Sequence, residues 1–273
     1  MRNTVLMCPP TFFDVRERKN PYMGLPVDPV RAQQQWDVLC RTLERSGVKV
    51  ETIDPVKDLE DMVFAANQVF VGYSEKIGKF IVPSEMRYQI RQKEVPFYVD
   101  WFEKRGYKVV NLDLKGEYLE GHGDLLWHPD RSKIWAGYGF RSTRGGVDKL
   151  AVAMQEFGFP VIPLQLVDDH CYHLDTCLCP LNNDAALIYP GAYSGDALDA
   201  LCHGWKRIHE LSHDEALQFI GNGIVAHGNY ITPRVTPNLQ KILDQEGLTP
   251  VLVDTSEFEK SGGSVFCMKC FID

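Results

Sequence analysis

A thiol directly after a flexible glycine pair, in the closing run Gly262-Gly263-Ser264-Val265-Phe266-Cys267, is the group in this sequence best placed to act as a nucleophile. A thiol attacks as its thiolate, so it needs a base and a field that favours the anion. Residues that could supply both lie far upstream: Asn67 in Phe64-Ala65-Ala66-Asn67, Glu120 and Asp124 in Leu119-Glu120-Gly121-His122-Gly123-Asp124, His173 and Asp175 in Tyr172-His173-Leu174-Asp175-Thr176, and Asn222 in Ile220-Gly221-Asn222-Gly223. Each is a polar group in an otherwise apolar context. Three carboxylates around one cavity raise each other's pKa unless a cation sits among them. A planar cation with several N–H donors suits that space, and a guanidinium offers five in a fixed fork.

Each of these residues also has a plainer use. A lone Cys in a strand is more often packing, and His173 could be a hydrogen-bonded core histidine. Glu120 and Asp124 could be turn residues of a Gly-rich hairpin loop. His173 and Asp175, two apart in an apparent strand, would face the same way. Cys267-Met268-Lys269-Cys270 is a CxxC, and Cys177-Leu178-Cys179 lies near His173. A zinc knuckle needs a second pair at matching spacing, which the chain lacks. A redox CxxC starts a helix after a strand, whereas Phe266 to Ile272 reads as a terminal strand. No metal or organic cofactor is expected.

The elements that must gather these groups repeat along the chain. A helical stretch ends in a turn, often at Gly, and passes into a β-rich apolar run at Gly47 to Ile53, Gly106 to Leu112, Gly158 to Leu164 and Gly247 to Val253, with a weaker copy at Trp205 to Leu211. The spacing is roughly 40 to 60 residues, within the range of propeller-type arrays. Helical apolar spacing precedes the tails, as in Trp36, Leu39, Cys40 and Leu43 or in Leu239, Ile242 and Leu243. Gly then stops the helix in the left-handed conformation. Strand pairs follow, for example Met62 to Val71 with Lys79 to Val82, and Asp124 to Trp127 with Ser132 to Gly137. Five such units bury their strand faces only against each other, and closing them around an axis leaves no end to cap. The pattern predicts an α/β fold, a five-bladed α/β propeller with pseudo-fivefold repeats, over residues 1–273 as one domain. The polar groups, each a short way past a tail, then converge near the axis.

Composition narrows the function classes. With 273 residues, 44% of them hydrophobic, the chain can build a large core. A net charge of −8 without a Lys/Arg-rich block argues against nucleic acid as a partner. No apolar run is long enough to span a membrane, and Met1 to Met7 meets Pro9-Pro10 too soon for a signal peptide, so a cytoplasmic protein is expected. Eight cysteines without a secretory signal read as reduced thiols. The expected partner is a small molecule; a homo-oligomer is left open.

The acid in Leu119-Glu120-Gly121…Asp124, the run His173-Leu174-Asp175-Thr176 and the terminal Gly262-Gly263…Cys267, in that order, resemble the guanidine-modifying superfamily. This is the pentein fold shared by arginine deiminases, amidinotransferases and dimethylarginine dimethylaminohydrolases. Where deiminases and amidinotransferases carry an Asp that grips the guanidinium, this chain has Asn67, a variant similar to arginine dihydrolases and succinylarginine dihydrolases. Leu6-Met7-Cys8-Pro9-Pro10, Asn20-Pro21-Tyr22-Met23 and Trp135 to Ser142 are similar to the arginine dihydrolase domain of some bacteria. The resemblance implies a cysteine hydrolase that takes arginine to ornithine, ammonia and carbon dioxide through a covalent thiouronium intermediate. Cys267 would attack, His173 would act as acid and base, and Glu120 and Asp175 would hold the guanidinium and orient the histidine. Arg91 and Arg141 would bind the α-carboxylate. Asn67 would tolerate a neutral ureido intermediate, since an amide both donates and accepts. The alternatives are a dimethylarginine dimethylaminohydrolase, a deiminase that stops at citrulline, and a non-catalytic ligand-binding domain.

Overall fold

The computed structural model describes residues 3–272. Five three-stranded sheets make up the strand content, and each is built the same way. An inner strand pairs antiparallel with a middle strand, and the middle strand pairs parallel with an outer one. A parallel neighbour requires a crossover, and an α-helix supplies each one.

In chain order the middle strand, crossover helix and outer strand are Thr4–Met7, Pro29–Arg45 and Lys49–Thr52 in the first unit. Gly78–Pro83, Val95–Glu103 and Lys108–Val109 form the second, and Ile134–Tyr138, Arg144–Gln155 and Val161–Gln165 the third. Ala185–Ile188, Gly195–Gly204 and Arg207–Glu210 form the fourth, and Asn229–Thr232, Pro237–Glu246 and Thr249–Leu252 the fifth. The inner strands are Val69–Ser74, Leu125–Trp127, Leu178–Pro180 and Ile224–Ala226, each just before its middle strand. For the first unit alone the inner strand comes from the other end of the chain: Cys270–Phe271 pairs antiparallel with Leu6 and Val5. The fold is a five-bladed α/β propeller whose ring is closed by its two terminal strands.

The sequence signals act where expected. Helix Pro29–Arg45 is capped by Asp28, whose carboxylate accepts from Val30 N and Arg31 N, and it buries Leu39 and Leu43 against the main core. Gly47 and Gly247 end their helices at φ 83° and 66°, in the left-handed region that a Cβ disfavours. Two expectations shift. The stretch read as a strand from Met62 begins only at Val69, because Glu60–Val63 is a 3-10 turn that carries Asp61 and Phe64 toward the axis. The run from Phe266 is not a strand until Cys270. Its first backbone N–H groups are bonded elsewhere: Phe266 N donates to Asn222 O at 2.9 Å and Cys267 N to Asn222 Oδ1 at 3.3 Å. Among the described residues no helix is long and apolar enough to cross a membrane.

The inward face of the first crossover helix predicts a sharp contrast in stability. Leu39→Ala should destabilise by about 2–5 kcal/mol, since Leu39 is wholly buried and the site cannot fully collapse. Val38→Ser, on the exposed side, should change it by less than about 0.5 kcal/mol. Urea melts of the two variants at equal ionic strength check this; similar losses would mean the helix packs by another face.

Candidate active site

Near the axis the chain forms a narrow, partly open cavity lined by Lys19, Asn20, Met23, Asp61, Phe64, Asn67, Arg91, Arg141, Tyr172, Ser261 and Cys267. The lining residues come from six separate parts of the chain. Of the sequence-predicted residues, Asn67, Arg91, Arg141 and Cys267 touch this space directly. Glu120, His173 and Asp175 stand immediately behind them in hydrogen-bonded contact.

Cys267 sits in a tight turn, and Asn222 holds that turn. Asn222 Oδ1 accepts from Ser264 N (3.1 Å) and Cys267 N (3.3 Å), while its Nδ2 donates to Asp175 O (2.8 Å) and to Cys267 Sγ (3.2 Å). Its amide is therefore fully engaged with protein. Asn222 thus holds the turn that carries the thiol, and it is not among the residues lining the cavity. On the other side of the thiol, Sγ donates to Asp175 Oδ2 at 3.1 Å, and Ala66 N donates to Cys267 O at 3.1 Å, tying the turn to the segment that bears Asn67.

His173 and Asp175 do not share a strand. His173 is extended, and Leu174–Thr176 then forms a 3-10 turn, so the two side chains diverge and serve different partners. His173 Nε2 lies 2.8 Å from Glu120 Oε2, whereas Asp175 reaches the thiol. Tyr172, just before, packs its ring 4.8 Å from the imidazole and donates to Gly262 O at 2.5 Å, which fixes the glycine pair against the histidine.

Glu120 and Asp124 have separate fates too. Glu120 Oε2 also receives Arg141 Nη1 at 3.0 Å, and its Oε1 receives Arg87 N at 2.9 Å. Asp124 accepts from Ser142 Oγ (2.6 Å) and Ser142 N (3.1 Å) on one oxygen and from Leu174 N (3.1 Å) on the other. Both its oxygens are bonded to protein and it does not line the cavity. Asp124 braces the His173 segment through the Leu174 N–H.

Electrostatics separate the carboxylates further. Burial would raise Glu120, but Arg141 and then His173 hold it well below the usual carboxylate range. Burial pushes Asp175 up to about 7, against the hydrogen bond from the Cys267 thiol and the pull of the Lys269 and Arg141 charges. Burial likewise raises Asp124 to about 6. The Cys267 thiol is pushed well above its ordinary value by burial and then by the Asp175 charge. The resting pair is thus a thiol donating to a carboxylate, and a cation arriving beside them would favour the thiolate.

Lys19 and Asp61 are the cavity residues that sequence reasoning passed over. Lys19 Nζ lies 3.0 Å from Asp61 and 3.3 Å from Glu60, all buried, and the Lys19 carbonyl accepts from Arg141 Nη2 (3.1 Å) and Tyr88 Oη (3.1 Å). The signals were adjacent to motifs already singled out, since Lys19 precedes Asn20-Pro21 and Asp61 opens the turn before Phe64. Cys270, the other half of the CxxC, packs in a different cluster from Cys267, and all eight cysteines are free thiols.

The matched relatives share this architecture along nearly the whole chain. A family model described as N,N dimethylarginine dimethylhydrolase, eukaryotic, matches residues 28–272. The chain is 35% identical over 263 residues to an N(G),N(G)-dimethylarginine dimethylaminohydrolase of Mycobacterium tuberculosis, covering 96% of this chain and 83% of that protein. It is 34% identical over 269 residues to the bifunctional arginine dihydrolase/ornithine cyclodeaminase AgrE of a Nostoc species, covering 96% of this chain but 37% of that longer protein. The N-terminal domain of the cyanobacterial arginine dihydrolase ArgZ, solved as a Cys-to-Ser mutant bound to substrate, superposes with a TM-score of 0.91 at 30% identity, over 98% of this chain and 97% of that one.

The raised carboxylates predict a pH signature with a definite sign. Asp175 titrates near 7 in the folded chain against an ordinary 3.8. Between those values the native state holds more protons than the unfolded one, so this contribution to stability falls as pH rises through the window. Asp175→Asn removes a buried charge above that window, so its melting temperature should exceed wild type at pH 8 and nearly match it at pH 4. An equal shift at both pH values would show that Asp175 stays ionised throughout.

Proposed function

The chain belongs to the N,N-dimethylarginine dimethylhydrolase family, and from that premise we propose that it is an arginine dihydrolase, converting arginine and two waters to ornithine, two ammonia and carbon dioxide. It is a hydrolase of guanidino C–N bonds. The observation that carries the choice of reaction is Asn67 at the cavity wall, an amide beside a thiol and a histidine, with the longer relatives named as arginine dihydrolases.

In this reading the substrate's guanidinium lies against Cys267, between Asp175 and the Glu120–His173 pair. Its positive charge lowers the thiol's hold on its proton, which passes toward Asp175 Oδ2, already 3.1 Å away. The thiolate attacks the central carbon and a C–S bond forms. His173 delivers a proton to one terminal nitrogen, the C–N bond breaks and ammonia leaves, giving a thiouronium adduct. His173 then takes a proton from water, hydroxide adds to the same carbon and the C–S bond breaks, leaving a ureido product. A second round on that product releases the other ammonia and leaves a thiocarbamate, whose hydrolysis gives a carbamate that breaks down to ornithine and carbon dioxide. Glu120, held anionic by Arg141, favours the protonated imidazole in the steps that need it.

The cavity wall also carries positive charge on Lys19, Arg91 and Arg141 and a carboxylate on Asp61. A zwitterionic α-amino acid headgroup matches that mixture, which supports arginine over agmatine. The free thiols suit a reducing compartment, and we assign the protein to the cytoplasm on that ground.

Two measurements test the reading. Cys267→Ser should abolish turnover while retaining arginine binding, because a hydroxyl has no accessible anion at neutral pH; residual activity above a few per cent of wild type would end the nucleophile assignment. Asn67→Asp should lower ornithine as a fraction of product, since a carboxylate cannot donate to a ureido oxygen. Product ratios at matched conversion decide it: a wild type that yields only citrulline is a deiminase, and one that ignores arginine but releases dimethylamine from dimethylarginine acts on methylated substrates.

A further inference from the structure

Shortly past the nucleophile the chain buries a lysine. Lys269 is 1% exposed, and its backbone helps close the turn that carries the thiol: Met268 N donates to Ser264 O at 3.2 Å and Lys269 N to Phe266 O at 3.3 Å. The side chain is not part of the cavity that Cys267 lines. Its ammonium lies 3.0 Å from the centroid of the Phe266 ring and 4.5 Å from that of Phe271, and both rings face a separate cavity with Trp127, Cys179 and His227. Lys269 therefore stands behind the nucleophile, on the side away from a ligand in the first cavity.

A buried ammonium reverts to the amine unless its surroundings favour the charge. Two aromatic faces contribute part of that, and a nearby carboxylate supplies more. Asp175 is that carboxylate. Burial raises it, and Cys267, Lys269, Asn222 and Arg141, in that order, pull it down. Its Oδ2 accepts from the Cys267 thiol at 3.1 Å, whereas Oδ1 is buried with no hydrogen-bond partner among the described residues. In the ligand-free chain the Asp175 charge thus depends on cations at a distance. Arg141 is in contact with Glu120 at 3.0 Å, and His173 faces Glu120 as well. Tyr172 and Cys177, which share the field of Asp175, are held neutral by burial. Burial also lifts the Cys179 thiol to about 11, with Tyr230 and Lys269 pulling against it.

We propose that Lys269 is a positioning residue for the hydrolysis: from behind the nucleophile's turn its ammonium keeps Asp175 a carboxylate, so that Oδ2 can take the Cys267 proton as the thiol becomes the attacking thiolate. The S–H bond breaks, an O–H bond forms on Asp175, and Lys269 keeps its own protons throughout. The inference rests on the cysteine-hydrolase reading and deepens it, giving the Cys267–Asp175 pair a fixed positive charge before any cationic substrate arrives. Each proton of that pair leaves more easily beside the ammonium.

The test reads Cys267 itself. Alkylation of the ligand-free chain by iodoacetamide, followed at the Cys267 peptide by mass spectrometry as a function of pH, reports the thiolate without any substrate. Lys269→Met keeps the length and removes the charge. It should move the rise in alkylation to higher pH by about one unit, the order expected for one charge several ångströms away in a protein-like dielectric. The rise of kcat/KM for arginine with pH should move the same way, and Lys269→Arg should return both toward wild type. A purely structural role lowers the rates at every pH and leaves the midpoints where they were; that result overturns the inference. In an Asp175→Asn background the alkylation shift caused by Lys269→Met should shrink by at least about half. An equal shift in both backgrounds means that the lysine acts on the thiol directly, and it also overturns the inference. Should Lys269→Met fail to fold, Lys269→Gln repeats the series. The wild-type chain supplies a check that needs no variant: nitrogen NMR of lysine-labelled protein should show Lys269 as an ammonium at neutral pH, and a neutral amine there sinks the proposal. If Cys267→Ser retains turnover, the nucleophile assignment fails as a whole; a chain that needs Cys267 but whose pH profile ignores Lys269 loses only this inference.

Discussion

Removal of charge from water is the constraint on which the rest of this molecule depends. Glu60, Asp61, Glu94, Glu120, Asp124 and Asp175 are all buried, and the buried cations Lys19, Arg91, Arg141 and Lys269 lie among them. A buried carboxylate is tolerable only when ion-paired, hydrogen-bonded or protonated. The site uses each of these solutions at a different residue. Glu120 is ion-paired with Arg141, Asp124 is hydrogen-bonded by Ser142 and the Leu174 N–H, and Asp175 is left with a thiol and a raised pKa. The same burial therefore yields one committed anion beside the histidine and one acid poised near neutrality beside the nucleophile. A cationic guest shifts the second without disturbing the first.

The propeller explains how one short chain affords such a density of ionisable groups. Each unit delivers an inner strand and the loop before it to the axis, so the site receives side chains from around Asn67, Glu120, His173, Asn222 and Cys267 without any two being close in sequence. Ring closure matters as much as convergence. The C-terminal strand Cys270–Phe271 pairs with Thr4–Met7, and Ala66 N bonds Cys267 O, so a thiol near the end of the chain is clamped between the first and second units. Side-chain bonds within such a frame are preorganised, which lets the Asn222 side chain bond the Ser264–Cys267 turn three times and the Asp175 carbonyl once.

The repeat was legible because its signals are local. A helix stop at Gly47, Gly106, Gly158 or Gly247 followed by an apolar run reflects backbone conformation and periodicity, and these survive in any context. The identity of the converging residues was legible for the same reason, as polar groups at equivalent positions of similar units. Their division of labour was not. Whether Asp124 or Asp175 meets the thiol depends on a 3-10 turn at Leu174–Thr176, and no two-residue spacing reports that. The terminal strand was misplaced because Asn222, from another unit, takes the Ser264 and Cys267 N–H groups. Lys19 escaped notice because a lysine in a polar segment reads as solvated until Glu60 and Asp61 are seen to enclose it.

The charge pattern along the cavity also bears on why one pocket would serve two successive substrates. Glu120 and Asp175 contribute negative charge around the cavity, and Arg91, Arg141 and Lys19, with Asp61 among them, contribute positive charge. Loss of the first ammonia turns a guanidinium into a neutral ureido group and weakens the attraction at the reacting end. In the proposed reading the α-carboxylate and α-ammonium are unchanged by that loss and would keep their partners. Retention of the intermediate then depends on whether the reacting end offers a neutral ligand something in place of ion pairing, and hydrogen-bond donors aimed at an oxygen are the form that replacement takes. An Asp at position 67 would supply the opposite, a stronger hold on the first substrate and none on the second. Under the proposed function the number of hydrolytic steps would be set at the wall of the cavity, by a neutral amide among buried charges, while the thiol, the histidine–carboxylate pair and the fold that joins them can be common to both outcomes.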